Sequence, residues 1–189
     1  MKNKLYQYIQ NLQDFDSFYI DFLKNEDAKN LSEMMISNSE RFKRYFPITL
    51  SKNISLEASQ KYIIDKEVEY QSKSEFTFAI KESKTNQIVG IIIIKEINWE
   101  SKQGEFAYCI DSNYENKGWM SKAINAVSKY AFEILGLKKL QIIVHKDNIG
   151  SSKVAQKCNF IWQKTLLNEY RPPDEMPLDM ELYELKNEK

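Results

Sequence analysis

The sequence predicts an α/β fold: one mixed sheet of about seven strands with helices on both faces. Three observations point there. The hydrophobic period switches repeatedly between helical and strand spacing along the chain. The run Ile88–Ile94 (IVGIIII) is apolar on both faces, as a central strand must be. Neither a repeat nor a Pro/Gly-rich linker interrupts the pattern, so residues 1–17 read as a polar lead-in and 18–189 as a single domain.

Each element has its own signal. Phe18–Leu23 (FYIDFL) reads as a short strand. Asn25, Glu26 and Asp27 supply a cap and early acidic residues for a helix with Leu31, Met34 and Met35 on one face. Helix continues over Ser39–Phe46 until Pro47 stops it. Ser55 caps a long helix to about Tyr70, with Tyr62, Ile63 and Val68 inward. Glu75–Lys81 (EFTFAIK) alternates as a half-buried strand, Lys84–Asn86 is a turn, and Gln87–Ile97 is the apolar central strand. Gly104–Asp111 is another strand. Trp119–Leu135 has helical spacing at Ile124, Val127, Ala131 and Leu135 and ends at Gly136. Lys139–His145 is a strand and Ile149–Cys158 a short helix; strands at about Phe160–Leu167 and Pro177–Leu185 complete the order.

The bulk numbers exclude several classes. The 189 residues are 42% hydrophobic and 13% aromatic, enough for one sizeable core. Lys+Arg and Asp+Glu both number 27, so the formal net charge is zero and no basic surplus favours nucleic acid. Cys109 and Cys158 have no paired spacing and read as buried thiols of a reducing compartment. His145 is the single histidine, which argues against a His-based metal site. The longest apolar run is too short to span a bilayer, and Met1–Asn11 carries no secretory apolar core, so a cytoplasmic protein without a membrane partner is expected.

The chemistry concentrates after Gly104–Asp111, where Ser112–Gly118 leads straight into a helix. The first N–H groups of a helix lack intrahelical partners and carry partial positive charge. A phosphate can accept them where the backbone comes close, which Gly118 permits, and Ser121 can add a hydroxyl. A plain turn is the simpler reading of this segment by itself. A second constellation follows the next strand: Asp147–Phe160, DNIGSSKVAQKCNF.

Together these segments resemble the GNAT superfamily of N-acetyltransferases, in particular its RimJ/RimL-like ribosomal-protein branch. There the diphosphate loop reads like Y-Q-G-K-G-x-M-T, and this chain has YENKGWMS; the later element reads D-N-x-x-S-x-x-V-A-x-K-x-G-F. The strand before the loop, EFAYCID, is similar to E-I-G-Y-W-L-D. The chain departs from the pattern at Glu115, where Gln or Arg is usual, and at Asn116 and Asn159, which replace glycines.

The resemblance implies the GNAT fold, with its sheet splayed at an acetyl-CoA site, and transfer of acetyl from acetyl-CoA to a primary amine without a metal. It implies cofactor contacts from Cys109, Ile110, Asp111, Glu115, Asn116, Lys117, Gly118, Trp119, Met120, Ser121, Asn148 and Ser151, with amides near Cys109–Asp111 polarising the thioester carbonyl. Glu105 would be the general base and Ser151 the acid for the departing thiolate. Tyr45, Phe46 and Tyr170 would line the acceptor pocket. A solvated or salt-bridged carboxylate at Glu105, and a helix cap at Asn148 or Ser151, are the bland alternatives. The expected acceptor is a protein N-terminus. A small-molecule amine, or a CoA-binding module without turnover, is the alternative. A homodimer is compatible with the resemblance.

Overall fold

The computed structural model describes residues 17–187, so all of the expected lead-in except Ser17 lies outside the described residues. The elements run β1 (Phe18–Phe22), α1 (Ala28–Ser37), α2 (Ser39–Tyr45), α3 (Pro47–Ser51), α4 (Leu56–Ser72), β2 (Phe76–Glu82), β3 (Ile88–Asn98), β4 (Gln103–Ile110), α5 (Trp119–Glu133), β5 (Lys139–Val144), α6 (Ile149–Lys157), β6 (Ile161–Tyr170) and β7 (Leu178–Lys186). The seven strands form a sheet of order β1-β2-β3-β4-β5-β7-β6. β1 pairs antiparallel with β2, β4 parallel with β5, and β7 antiparallel with both β5 and β6. The links β2–β3 and β3–β4 are too short for a parallel crossover, so those pairs are hairpins. The sheet is therefore mixed, as the sequence predicts. The parallel ladder between β4 and β5 covers only Gln103–Phe106 of β4, although β4 runs on to Ile110.

The chain packs as two compact units: residues up to Ile93 with Tyr108–Trp119, and Ile94–Ala107 with Met120 onward. In the first, Phe18, Leu31, Met35, Phe78, Ile80, Ile91 and Ile92 are buried. In the second, Phe106, Ile124, Tyr130, Leu137, Leu140 and Phe160 are buried, with the Phe106 and Phe160 rings 6.2 Å apart edge to face.

Three local expectations are corrected. Pro47 does more than end α2: it occupies the first turn of α3, where its missing N–H costs nothing. Val68 faces outward at 62% exposure, because its angular position on α4 departs from the buried Tyr62–Ile63 stripe. β2 is buried on both faces, not one. Thr77 and Ala79 are small enough to pack under α4, and Lys81 is neutralised by Asp27 at 2.7 and 2.8 Å. That buried pair is tied further by the Lys24 N–H, which donates to Asp27 Oδ2 at 2.8 Å. Polar alternation along β2 was real, but tertiary packing covered both of its faces.

Candidate active site

The end of β4 and the turn after it belong to the first unit. Gly90 lets β3 approach closely here: a Cβ at that position would lie 2.7 Å from the Cys109 carbonyl oxygen. The Asp111 N–H donates to Val89 O at 2.7 Å, which removes it from the amides expected to polarise a bound carbonyl. Asp111 instead shapes the turn through its side chain. Oδ1 accepts from the Asn113 N–H at 2.8 Å, and Oδ2 from Asn38 Nδ2 at 2.8 Å.

Beyond it, Asn116 and Gly118 have φ of 60° and 76°, the left-handed conformation that Asn and Gly tolerate best. A Cβ at Gly118 would meet no atom within 4 Å, so φ demands the glycine and the space in front of it is open. Tyr114 and Trp119 anchor the turn. Trp119 stacks on Phe18 with centroids 4.9 Å apart and lies 5.0 Å from Tyr114, while Lys117 Nζ sits 4.4 Å above the Tyr114 ring. The Trp119 ring thus packs in the turn, and its backbone N–H is a first-turn donor of α5. Glu115, the departure from the family pattern, pairs with Arg41 of α2. This arrangement fits a diphosphate: a glycine-entered helix start with room in front of it.

Met120, at the helix start, is buried, and Ser121 is half-buried in the first turn of α5. In the second unit the Cys158 thiol donates to Ser121 O at 3.2 Å, fastening the end of α6 to that turn. The sequence carried no signal for this contact. Asn148 Oδ1 accepts the Ser151 N–H at 3.2 Å, so Asn148 caps α6 and its Nδ2 group remains available as a donor type. Ser151 stands in the first turn of α6. His145 is buried, and its Nδ1 accepts the Asp147 N–H at 3.3 Å, a structural role in the turn before α6.

Glu105 lies in the part of β4 that belongs to the second unit, with Lys95 Nζ 2.6 Å from its Oε1. It stands opposite Gln141, which stands opposite Glu184, so three polar residues line up across β4, β5 and β7. Gln141 accepts from Gln103 at 2.7 Å and donates to Glu184 at 2.8 Å. Burial works against ionising Glu184, but hydrogen bonds from Gln141 and Lys139 and the charges of Lys139 and Lys186 outweigh it and hold the carboxyl below its usual range. Glu105 is therefore part of an ordered polar row, and Lys95 fixes its carboxylate. No local sequence signal marks Lys95 as that partner.

Both cysteines are free. Burial pushes the Cys109 thiol up to about 12 and the Cys158 thiol up to about 11, which keeps both protonated and poorly nucleophilic. Tyr45 and Phe46 lie half-buried at the C-terminal end of α2, and Tyr170 at the end of β6. Among the described residues no group of three or more His, Cys, Asp or Glu side chains could hold a metal ion. No helix of the described residues is long and apolar enough to cross a membrane.

Residues 18–161 match the model of the acetyltransferase (GNAT) domain. The chain belongs to the GNAT acetyltransferases. This makes it an N-acetyltransferase with acetyl-CoA as its co-substrate. The acetyltransferase is 25% identical over 145 residues to probable N-acetyltransferase YjcK of Bacillus subtilis, covering 76% of this chain and 80% of that protein. It is 30% identical over 108 residues to spermidine N(1)-acetyltransferase of Escherichia coli, covering 57% of this chain and 56% of that protein. Its fold superposes on the ribosomal-protein-S5-alanine acetyltransferase of Vibrio fischeri with a TM-score of 0.87, at 18% identity and over 94% and 97% of the two chains.

Proposed function

We propose that residues 18–189 act as a single domain that transfers acetyl directly to the α-amine of a protein N-terminus, with Glu105 as general base. The observation that carries this reading is one continuous segment. β4 carries Glu105 near its start, and the turn it feeds ends in a helix start entered through left-handed Asn116 and Gly118, with open space at Gly118. The backbone of Glu115–Ser121 would hold the diphosphate of acetyl-CoA. With the Asp111 amide bonded to Val89, carbonyl polarisation falls to Ile110, because successive amides of an extended strand point to opposite edges. The Asn148 amide group would donate to the pantetheine arm.

Glu105 takes a proton from the ammonium, through water, and the neutral amine attacks the thioester carbon. The tetrahedral intermediate collapses with cleavage of the C–S bond, and the thiolate takes a proton from the Ser151 hydroxyl or from solvent. The protonated, buried state of Cys109 supports direct transfer over an acyl-enzyme. Tyr45, Phe46 and Tyr170 would border the acceptor. The fold likeness to a ribosomal-protein acetyltransferase over nearly the whole chain supports a peptide acceptor. The sequence likeness to a spermidine acetyltransferase supports polyamine as the second reading.

Thiol release measured with Ala-, Ser- and Thr-initiated peptides and with polyamines separates the two. Turnover on peptides is expected, and turnover on spermidine alone would move the assignment to the second reading. Glu105→Gln is expected to lower kcat at least about ten-fold and flatten the acidic limb of the pH profile. Unchanged kinetics would remove Glu105 as the base.

A further inference from the structure

In the first unit, a hydrogen-bond network stitches the corner between α1 and α2 to the end of β4. Asn38, 3% exposed, sits at that corner. Its Nδ2 donates to Met34 O at 2.9 Å and to Asp111 Oδ2 at 2.8 Å; its Oδ1 accepts from the Ser112 N–H at 3.0 Å and from Arg41 Nη1 at 2.8 Å. Arg41 Nη1 also reaches the Ile110 carbonyl at 3.4 Å, and Nη2 pairs with Glu115. The guanidinium is therefore aimed at the turn by a buried amide.

We propose that Arg41 is a positioning residue that sets acetyl-CoA affinity by holding the Glu115 carboxylate away from the amides that take the diphosphate. The proposal rests on the cofactor reading of that turn. Glu115 immediately precedes Asn116–Gly118, and its side chain is 42% exposed. An unpartnered carboxylate there would repel any anion seated on those amides. Within the turn itself, Asp111 and Glu115 face one cation, Lys117, a local sum of −1. Arg41 brings that sum to zero from a different element. Ordinary half-exposed ion pairs contribute little because both side chains must be ordered to form them. Here Asn38 and the Ile110 carbonyl have already ordered the guanidinium.

The proposal fixes the sign of two substitutions. Glu115→Gln removes the repelling charge and tightens acetyl-CoA binding by roughly three- to ten-fold. Arg41→Gln leaves Glu115 unpaired and weakens binding at least about ten-fold, and the loss shrinks in 0.5 M KCl because salt screens it. Combining the two returns affinity to within about three-fold of the unsubstituted protein.

Calorimetric titration of acetyl-CoA into the four proteins, at low and high salt, decides the matter. A tether without an electrostatic role predicts that Glu115→Gln weakens binding, that it fails to rescue Arg41→Gln, and that salt changes nothing. Any of these results overturns the proposal while leaving the cofactor site intact. Failure of the unsubstituted protein to bind acetyl-CoA would instead overturn the cofactor reading itself.

Discussion

α5 and α6 are both entered from the end of a strand through a turn, but their first N–H groups are treated differently. α6 is closed by its own sequence: Asn148 Oδ1 accepts the Ser151 N–H, and Asn148 O accepts the Ser152 N–H. α4 is closed in the same way, with Ser55 Oγ accepting the Ala58 N–H at 3.1 Å. α5 is entered through Gly118, which has no side chain to offer and, like Asn116 before it, is left-handed. Against a side-chain cap, glycine at a helix start costs only a few tenths of a kcal/mol, so α5 gives up little by lacking one. A helix start that must receive an external anion has to leave its amides unspent. Within one chain, the helix starts therefore differ in cap identity: Asn148 and Ser55 each spend a side chain on a helix amide, and Gly118 has none to spend.

The strongest way to break this comparison is Gly118→Val. A β-branched residue at φ +76° is strained by upwards of about 1–2 kcal/mol, and its methyls would stand before the amides. Acetyl-CoA affinity is expected to fall at least about thirty-fold by calorimetry, and an unchanged affinity would take the turn out of the cofactor site.

Asn148 sharpens the comparison, since one side chain is assigned both a cap and a cofactor contact. Asn148→Ala should lower stability by about 1 kcal/mol, a Tm drop of about 2–4 °C. Asn148→Asp keeps an acceptor at the helix start and should preserve Tm. Both should lose acetyl-CoA affinity by about ten-fold if the amide group donates to the pantetheine; a loss confined to the alanine variant would leave Asn148 a cap alone.

Ser55→Ala tests the purely structural entry. Stability should again fall by about 1 kcal/mol in a denaturant titration, with kcat and KM within two-fold of the starting protein. The smallest signal concerns the thiols, one of which fastens α6 to α5. With Cys109 raised to about 12 and Cys158 to about 11, fewer than about one thiol in a thousand is ionised at pH 8. A disulfide reagent should find neither thiol in its fast phase in the native protein, and both after unfolding in urea.

Much of the fold could be read because local chemistry and global packing agree. The apolar run in β3, the Ser55 cap and the left-handed Gly136 were each visible as residue types in the right place, and each stands where expected. Disagreement arose where packing overrode pattern. Thr77, Ala79 and Lys81 look solvent-facing in sequence, yet β2 is covered on both sides and Lys81 is paired with Asp27 across 54 residues. Val68 is apolar and expected inward, yet it falls off the buried stripe.

At the site, the residue types around the turn were legible, including the misfit of Glu115. Its answer was not. Arg41 lies 74 residues earlier, and its aim depends on Asn38, an asparagine in a helical corner that no local pattern marks. The loss of the Asp111 amide to Val89 and the identity of Lys95 as the salt-bridge partner of Glu105 are equally invisible, since both cross strands.

By itself the sequence determined the order of elements, the family and a helix entry through Gly118, because propensity, capping and left-handed tolerance are properties of a few adjacent residues. Tertiary structure alone decided which amides are already bonded within the fold and which charges have partners. Those depend on groups brought together from distant parts of the chain, where burial sets the strength of every contact.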